Sequence, residues 1–373
     1  MSSFKSYLKT YFIIVTALLL VIASFNFVVD PYNIYRRIAI KGFNQEKPYM
    51  DVRGLSRVKA LDIAEGDYDT VILGTSRVFW GLDPENKVFD SRNVYNAGLK
   101  SVGSYQIYKV FDYALQHLPL KTVVLGLDIN AFDNRRPPIL PKQDFRQSNF
   151  IPRYPLVDTL KTLLSLQSLI TSVRTVEFNR QGKQTNKYTD RGFERPESFK
   201  VNRNQNFAII AQKFQQDKVS TKFSFNRESM QFLIDIVEAC DRNGIELKLF
   251  IEPNHEVAQE WEIRSGNLPA VEQWKRALVF IVQRYAPNND GSIVLWDFSG
   301  LNAINTEKLP KDSQQTLNWY IDPVHYTKET GDIILDKLFN NATSVQSTHP
   351  DFGVILTPDN IDAHLIRLRA SRN

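Results

Sequence analysis

The sequence predicts an α/β protein whose parallel sheet is interrupted by one large insertion and preceded by a single transmembrane helix. Three observations carry this. An uncharged apolar run, Tyr11 to Val29, opens the chain; short apolar runs then alternate with helical patterns; and one interval among them, Asp133 to Phe225, is far longer than a connection.

The first run is dominated by Ile, Val, Leu, Ala and Phe and has the length a helix needs to cross a bilayer. Lys5 and Lys9 lie before it, which favours a cytoplasmic N-terminus (residues 1–10) and sends the rest of the chain to the far side. A cleaved signal peptide is the rival reading. Against cleavage, no small-x-small site follows, since Ala23-Ser24-Phe25 runs into the bulky Asn26-Phe27-Val28-Val29. The expected organisation is therefore an uncleaved anchor (11–29), a connecting segment (30–64), one α/β domain (65–343) and a C-terminal segment (344–373).

Beyond the anchor, Asp30-Pro31-Tyr32-Asn33-Ile34-Tyr35 reads as a turn-rich exit, followed by a helix around Gly54 to Ile63. Strands are expected at Thr70–Leu73, Asn93–Asn96, Thr122–Leu127, Glu246–Ile251 and Ser292–Trp296. Helical patterns occupy Gly103–Leu118, Arg227–Asn243, Leu268–Tyr285 and Glu329–Asn340. Strands alternating with helices in this way predict a doubly wound parallel sheet, and a composition 43% hydrophobic and 12% aromatic can fill its core.

Ordinary connections span about 2 to 6 residues, so Asp133 to Phe225 reads as an insertion. It contains Arg135-Arg136-Pro137-Pro138, an apolar helical segment (Leu156 to Val173) and a polar run from Asn179 to Asn204; it holds 17 Lys plus Arg against 8 Asp plus Glu. Two readings stand: a solvated surface cap, or a lid facing anionic lipid headgroups or an acidic polymer. In the tail, Ile361, Leu365, Ile366 and Leu368 mark an amphipathic helix that packs on the body or on a partner.

Composition narrows the chemistry. The net charge of +5 does not call for nucleic acid, and the single cysteine, Cys240, reads as core on the Arg227–Asn243 helix. There is no Cys/His cluster, no His-x-x-x-His pair and no phosphate-cradling glycine loop, so neither a metal nor a cofactor is expected.

Two short motifs remain. Gly74-Thr75-Ser76-Arg77 ends the Thr70–Leu73 strand, which places Ser76 at a carboxyl edge, where open α/β sheets bind ligands. Asp322-Pro323-Val324-His325 suits a tight turn on which a carboxylate and an imidazole converge. A serine hydroxyl is a weak nucleophile until a base takes its proton, and an imidazole does so best when a carboxylate fixes its tautomer. At the same edge emerge Gly98, Asp128, Asn130, Asn254 and His255. The amides of Ser76 and Gly98, with Asn130 as a side-chain donor, are candidates to stabilise an oxyanion. Arg77, directly after the serine, is expected to face the pocket, and His255 reads either as a substrate ligand or alternative base, or as a loop residue. His117, His349 and His364 read as surface residues. Trp80, Trp319 and Tyr320 flank the motifs, either as core or as faces for sugar rings.

These residues in this order, over Thr70 to His325, resemble the SGNH (GDSL-like) hydrolase superfamily, with its Gly-x-Ser turn, then Gly, then Asn, then Asp-x-x-His. The resemblance implies a three-layer, flavodoxin-like (SGNH-type) sheet with Ser76 as nucleophile, His325 as base, Asp322 as its orienting carboxylate and Gly98 lining the oxyanion hole. An anchor followed by such a domain also resembles the bacterial envelope proteins that act with membrane O-acyltransferases, of the D-alanyl teichoic-acid transfer and alginate acetylation types. That likeness implies a domain facing the periplasm or cell exterior, an envelope polysaccharide as partner and an integral acyltransferase nearby. One block departs from the superfamily: Gly126-Leu127-Asp128-Ile129-Asn130 puts a carboxylate where asparagine is usual. Either Asn130 takes the asparagine's role, or Asp128 pairs with Arg77 in a site specialised for transfer or binding. An inactive glycan-binding or scaffold protein is the alternative to an enzyme.

Overall fold

A computed structural model describes residues 2–50, 55–133, 155–185, 187–195, 202–217, 222–225, 227–286, 291–311, 315–339 and 349–371. The chain divides into two compact units, residues 1–62 with 142–187, and residues 63–141 with 188–373. Helix α1 (Ser2–Val29) opens the chain and α2 (Leu55–Glu65) follows. Then come β1 (Thr70–Leu73), α3 (Ser76–Gly81), β2 (Val94–Asn96), α4 (Ser104–His117) and β3 (Thr122–Leu127). Next are α5 (Pro155–Leu163), α6 (Leu166–Arg180), α7 (Arg203–Gln216), α8 (Arg227–Asn243) and β4 (Glu246–Ile251). The remainder holds α9 (Glu256–Arg264), α10 (Leu268–Tyr285), β5 (Ile293–Asp297), the pair β6 (Tyr320–Asp322) and β7 (His325–Tyr326), α11 (Lys328–Phe339), β8 (Val354–Ile355) and α12 (Ile361–Ala370).

In the first unit, α1 contains a stretch, Phe4–Val29, long and apolar enough to cross a membrane. Its last carbonyls have no partners within the helix. Asn44 Nδ2 donates to Val28 O at 2.6 Å and Lys47 Nζ to Val29 O at 2.7 Å, closing that end with a dipole-compatible cation. The exit turn is built on Asp30, in the left-handed region at φ +43°, whose carboxylate accepts the amides of Ile34, Tyr35 and Arg36. The apolar segment Leu156 to Val173, expected to be one helical run, is two helices. Ser165 breaks it, because its hydroxyl accepts the Ser168 amide at 3.1 Å and caps α6 in an extended backbone conformation. The Arg135-Arg136-Pro137-Pro138 run lies outside the described residues.

The second unit is α/β. Its six-stranded sheet has the order β2-β1-β3-β4-β5-β8, parallel through β5 and closed by an antiparallel β8 at one edge. β1, β2 and β3 are buried at every position, as expected of parallel strands covered on both faces. Helices α4, α8 and α10 pack against β1, β4 and β5 respectively. Ile72, Val124, Phe250 and Trp296 instead join one core cluster with Val78 of α3 and Leu82 at its end, Tyr326 of β7, and Ile334 and Leu335 of α11. That cluster fixes the serine turn and the histidine hairpin in one block, because α3 packs on both β7 and α11.

The C-terminal segment belongs to this unit. β8 adds to the sheet edge, and α12 packs on α10. His364, expected at the surface, is buried, with Nε2 2.9 Å from Asp297 Oδ2, which also receives Lys275 Nζ at 2.6 Å. Burial opposes the Asp297 charge, but Lys275 and His364 together hold its pKa well below the usual carboxylate range. A lone tail histidine gives no sign of that partner, which lies far off in sequence.

Candidate active site

The site starts at the end of β1. Gly74 turns the chain at φ +148°, and a Cβ there would lie 2.7 Å from Val78 Cγ2, so the turn requires glycine. Thr75 then caps α3 and Ser76 is its first residue. The hydroxyl of Ser76 lies 2.9 Å from His325 Nε2, and His325 Nδ1 lies 2.7 Å from Asp322 Oδ2. Asp322 also accepts the Val324 and His325 amides on Oδ1, at 2.9 and 3.0 Å, which folds the Asp-Pro-Val-His turn around its own carboxylate. Burial pushes the Asp322 pKa up; the His325 ring and the turn amides outweigh this and leave it below the usual value. A serine from near the front of the chain and a histidine–aspartate turn from near its rear thus form one hydrogen-bonded line, hydroxyl to imidazole to carboxylate.

No protein-family model and no curated protein matches the chain.

Aromatic packing holds the imidazole. The Trp80 ring stands edge-on to His325 with centroids 4.5 Å apart, and Trp80 Nε1 donates to Glu194 Oε2 at 2.8 Å. Glu194 is buried and also pairs with Lys100 at 2.9 Å. Its part in fixing the ring is absent from the sequence reading, because an isolated glutamate in a polar run carries no signal of it. Tyr320 is core, with its hydroxyl donated to Asn305 Oδ1, and Trp319 packs on His349.

Beside Ser76 the carboxylate at position 128 sits in a compact polar lattice. Asp128 Oδ1 accepts both the backbone and the side-chain N–H of Asn130 at 2.9 Å, capping the short turn Ile129–Phe132. Asp128 Oδ2 faces Arg77 Nε at 3.3 Å. Arg77 is buried; desolvation opposes its charge, but Asp128 and then Glu262 raise its pKa and keep it ionised. The guanidinium therefore neutralises the carboxylate that would otherwise repel an oxyanion. Asn130 lines the cavity with its amide already oriented by Asp128.

Two expected site residues lie elsewhere. The Gly98 amide donates to Asn96 Oδ1 at 3.0 Å, while Asn96 Nδ2 bonds the carbonyls of Val78 and Leu82, so Gly98 belongs to the tie between β2 and α3. His255 is buried, with Nε2 2.8 Å from Glu307 O and Nδ1 accepting the Val257 amide as the cap of α9. Both ring nitrogens are committed to backbone, and burial lowers its pKa, so it is a neutral structural imidazole, not a base for Ser76.

A cavity of about 400 Å³ opens onto Ser76 and His325. Its apolar wall is Phe214, Phe223 and Trp261, with Phe214 and Trp261 edge to face at 5.6 Å. Its charged lining is Arg77 against Asp128, Asp133 and Glu262. Among the described residues no group of three His, Cys, Asp or Glu side chains could hold a metal ion.

Behind the cavity lies Glu252, at the carboxyl end of β4. The sequence reading does not include it, although a polar residue ending a buried strand at the same edge as Ser76 is a visible signal. Burial pushes its pKa up to about 8 against the pull of Arg77, and Tyr326 adjoins it. The folded chain therefore holds a proton that the unfolded chain releases above about 4.5. Bound protons are then fewer in the unfolded state, so this group's contribution falls as pH rises from about 4.5 and is lost above about 8. Glu252→Gln is expected to flatten that decline, which is on the order of a few kcal/mol, in urea denaturations run at pH 5 and pH 8.5. An unchanged slope would remove Glu252 as its source.

Proposed function

We propose that this chain is a membrane-anchored, extracytoplasmic SGNH-like enzyme, an acyl esterase or O-acyltransferase that works on a cell-envelope polysaccharide through an acyl-Ser76 intermediate. The observation that carries the reading is the unbroken line from Ser76 Oγ through His325 to Asp322 Oδ2. The strand order 2-1-3-4-5 supports the flavodoxin-like, SGNH-type sheet, since its order reverses between β1 and β3, beside the serine turn. The apolar stretch Phe4–Val29 supports the anchor.

In this reading His325 Nε2 takes the Ser76 proton as Oγ attacks an ester carbonyl. The negative charge that develops on the carbonyl oxygen meets the Ser76 amide, a first-turn donor of α3, and the Asn130 amide. Collapse expels the first alcohol, which leaves with the proton held by His325. Water or a polymer hydroxyl then gives its proton to the same ring and releases the acyl group, by hydrolysis or transfer respectively. The carboxylates around the cavity favour an uncharged ester over an anionic one. An integral acyltransferase is the natural donor of acyl groups to a domain confined to the membrane surface.

A second reading, a glycan-binding or scaffold protein without activity, is favoured by one observation: the Gly98 amide points to Asn96 instead of the cavity. A fluorophosphonate probe separates the two. The enzyme reading expects one adduct, mapped by peptide mass spectrometry to Ser76; polymer binding by a chain that never reacts with the probe would establish the scaffold.

A further inference from the structure

Helix α6 is turned inside out relative to a helix of a water-soluble protein. Its buried positions are Ser168, Thr171, Ser172, Thr175, Val176 and Asn179, all but one of them polar, whereas Leu166, Ile170 and Val173 face outward, Leu166 being 71% exposed. Those apolar positions follow i, i+4, i+7 spacing and so form one stripe. Helix α5, which packs on α6, likewise exposes Leu156, Val157 and Leu160, of which Leu156 is 72% exposed. Water penalises an apolar face of this kind, and six exposed aliphatic side chains on two neighbouring helices point to a covering.

What covers it is indicated by the helix it joins. Both α5 and α6 pack against α1, whose buried and half-buried positions cluster in Ile22 to Val29. The packing is polar. Asn26, a polar residue inside the apolar stretch of α1, is buried, donates to Leu163 O at 2.7 Å and accepts from Ser172 Oγ at 2.8 Å. Small hydroxyl residues and an amide bonded across helices, with aliphatic residues outside, is the polarity of helices packed in lipid. In water the same two helices would gain more from burying their Leu and Ile residues against α1. The outward positions of α6 also change along its length, from Leu166, Gln167, Ile170 and Val173, mostly apolar, to Arg174, Glu177 and Arg180, all charged. This is the order expected of a helix whose first half lies among acyl chains and whose second half reaches headgroups and water.

We propose that the α5–α6 hairpin is a second membrane contact, with its apolar face embedded among lipid acyl chains in the leaflet from which α1 emerges; this rests on the reading of α1 as a bilayer-spanning anchor. The hairpin does not cross. At 15 residues α6 is about 22 Å long, short of the ~30 Å hydrocarbon core, and only its first half is apolar outward. Ile22 to Val29 measures about 10 Å along α1, a depth that in-plane helices reach. The exposed Lys161 on α5 has a stem long enough to carry its ammonium out to the interface. The unit would thereby be held at a fixed tilt and height instead of swinging on a single helix.

The test uses the full chain in vesicles of defined lipid. Cys240 is buried, so labelling goes to introduced cysteines. Leu18→Cys reports α1, Leu166→Cys and Ile170→Cys report the hairpin, and Glu177→Cys reports the end of α6; each carries an environment-sensitive fluorophore. Acyl-chain nitroxides are expected to quench the probes at 18, 166 and 170 about two-fold or more above the probe at 177, with iodide showing the reverse order. Quenching at 18 with 166 and 170 open to iodide would overturn the hairpin proposal and leave the anchor standing. Probes at 166 and 170 shielded from both quenchers would overturn it in favour of a protein covering. Failure of lipid quenching at 18 as well would overturn the anchor and the hairpin together.

Discussion

Ser76→Ala is expected to lower acyl-ester turnover by about 10⁴- to 10⁶-fold while leaving the fold intact. The size follows from role. In the proposed reaction the hydroxyl forms the covalent bond, and among the described residues no other hydroxyl is held by His325, so what would survive is the contribution of substrate binding and of the oxyanion donors. Stability is expected to move by about 1 kcal/mol or less, because Ser76 is only half-buried and its side chain bonds His325 Nε2 alone among the described residues. The cap of α3 is not touched, since Thr75 supplies it. Hydrolysis of a small activated acetate ester, fluorophosphonate labelling and a thermal melt on the same preparation check this. A folded variant that keeps labelling would deny Ser76 the nucleophile's role.

The serine line is readable because its parts are local. A run such as Thr70-Val71-Ile72-Leu73 is buried on both faces and so is apolar without alternation, and a glycine at its end can only be a turn. The Asp-Pro-Val-His turn closes on its own carboxylate, so its two reactive groups converge wherever the hairpin is placed. What escapes the sequence is set by partners distant in it. His255 faces the same edge as Ser76, but the Glu307 carbonyl and the start of α9 claim its ring. Gly98 follows β2 as expected, yet Asn96 draws its amide away from the cavity. The break at Ser165 is hidden for another reason: its side-chain cap competes with helix propagation through a single hydrogen bond, which hydrophobic periodicity does not record.

The pairing of Asp128 with Arg77 changes what the unusual block means. A bare carboxylate beside the nucleophile would work against an oxyanion, but a carboxylate that spends one oxygen on Asn130 and the other on a buried guanidinium is close to neutral as a unit. It then acts as a bracket that orients the Asn130 amide. Glu252, protonated at neutral pH, adds no second negative charge behind Arg77. The electrostatics of the cavity floor are thereby compatible with the proposed acyl transfer.

Asp322→Asn is expected to cost about 10⁴-fold in kcat, nearly as much as loss of the serine, with the backbone unchanged. In the native turn Asp322 Oδ2 accepts a hydrogen bond from His325 Nδ1–H, which leaves Nε2 unprotonated and facing the Ser76 hydroxyl. An asparagine that keeps its carbonyl oxygen on the Val324 and His325 amides must turn its own N–H₂ toward Nδ1. Nδ1 then becomes the acceptor, the ring proton moves to Nε2, and the atom that should remove the serine proton carries one already. The native carboxylate avoids this throughout the working range because its pKa lies below the ordinary value, so it stays charged while the imidazole cycles. Its stabilising contribution is present above the ordinary carboxylate pKa and is lost only as pH falls through the depressed one. The pH profile of kcat/KM separates this from a merely structural effect. The variant should keep its melting temperature within a few degrees, and any activity left should rise at alkaline pH, where hydroxide replaces the missing base. Turnover within tenfold of the native chain at neutral pH would mean that the carboxylate only braces the turn, and that His325 has some other means of holding its tautomer.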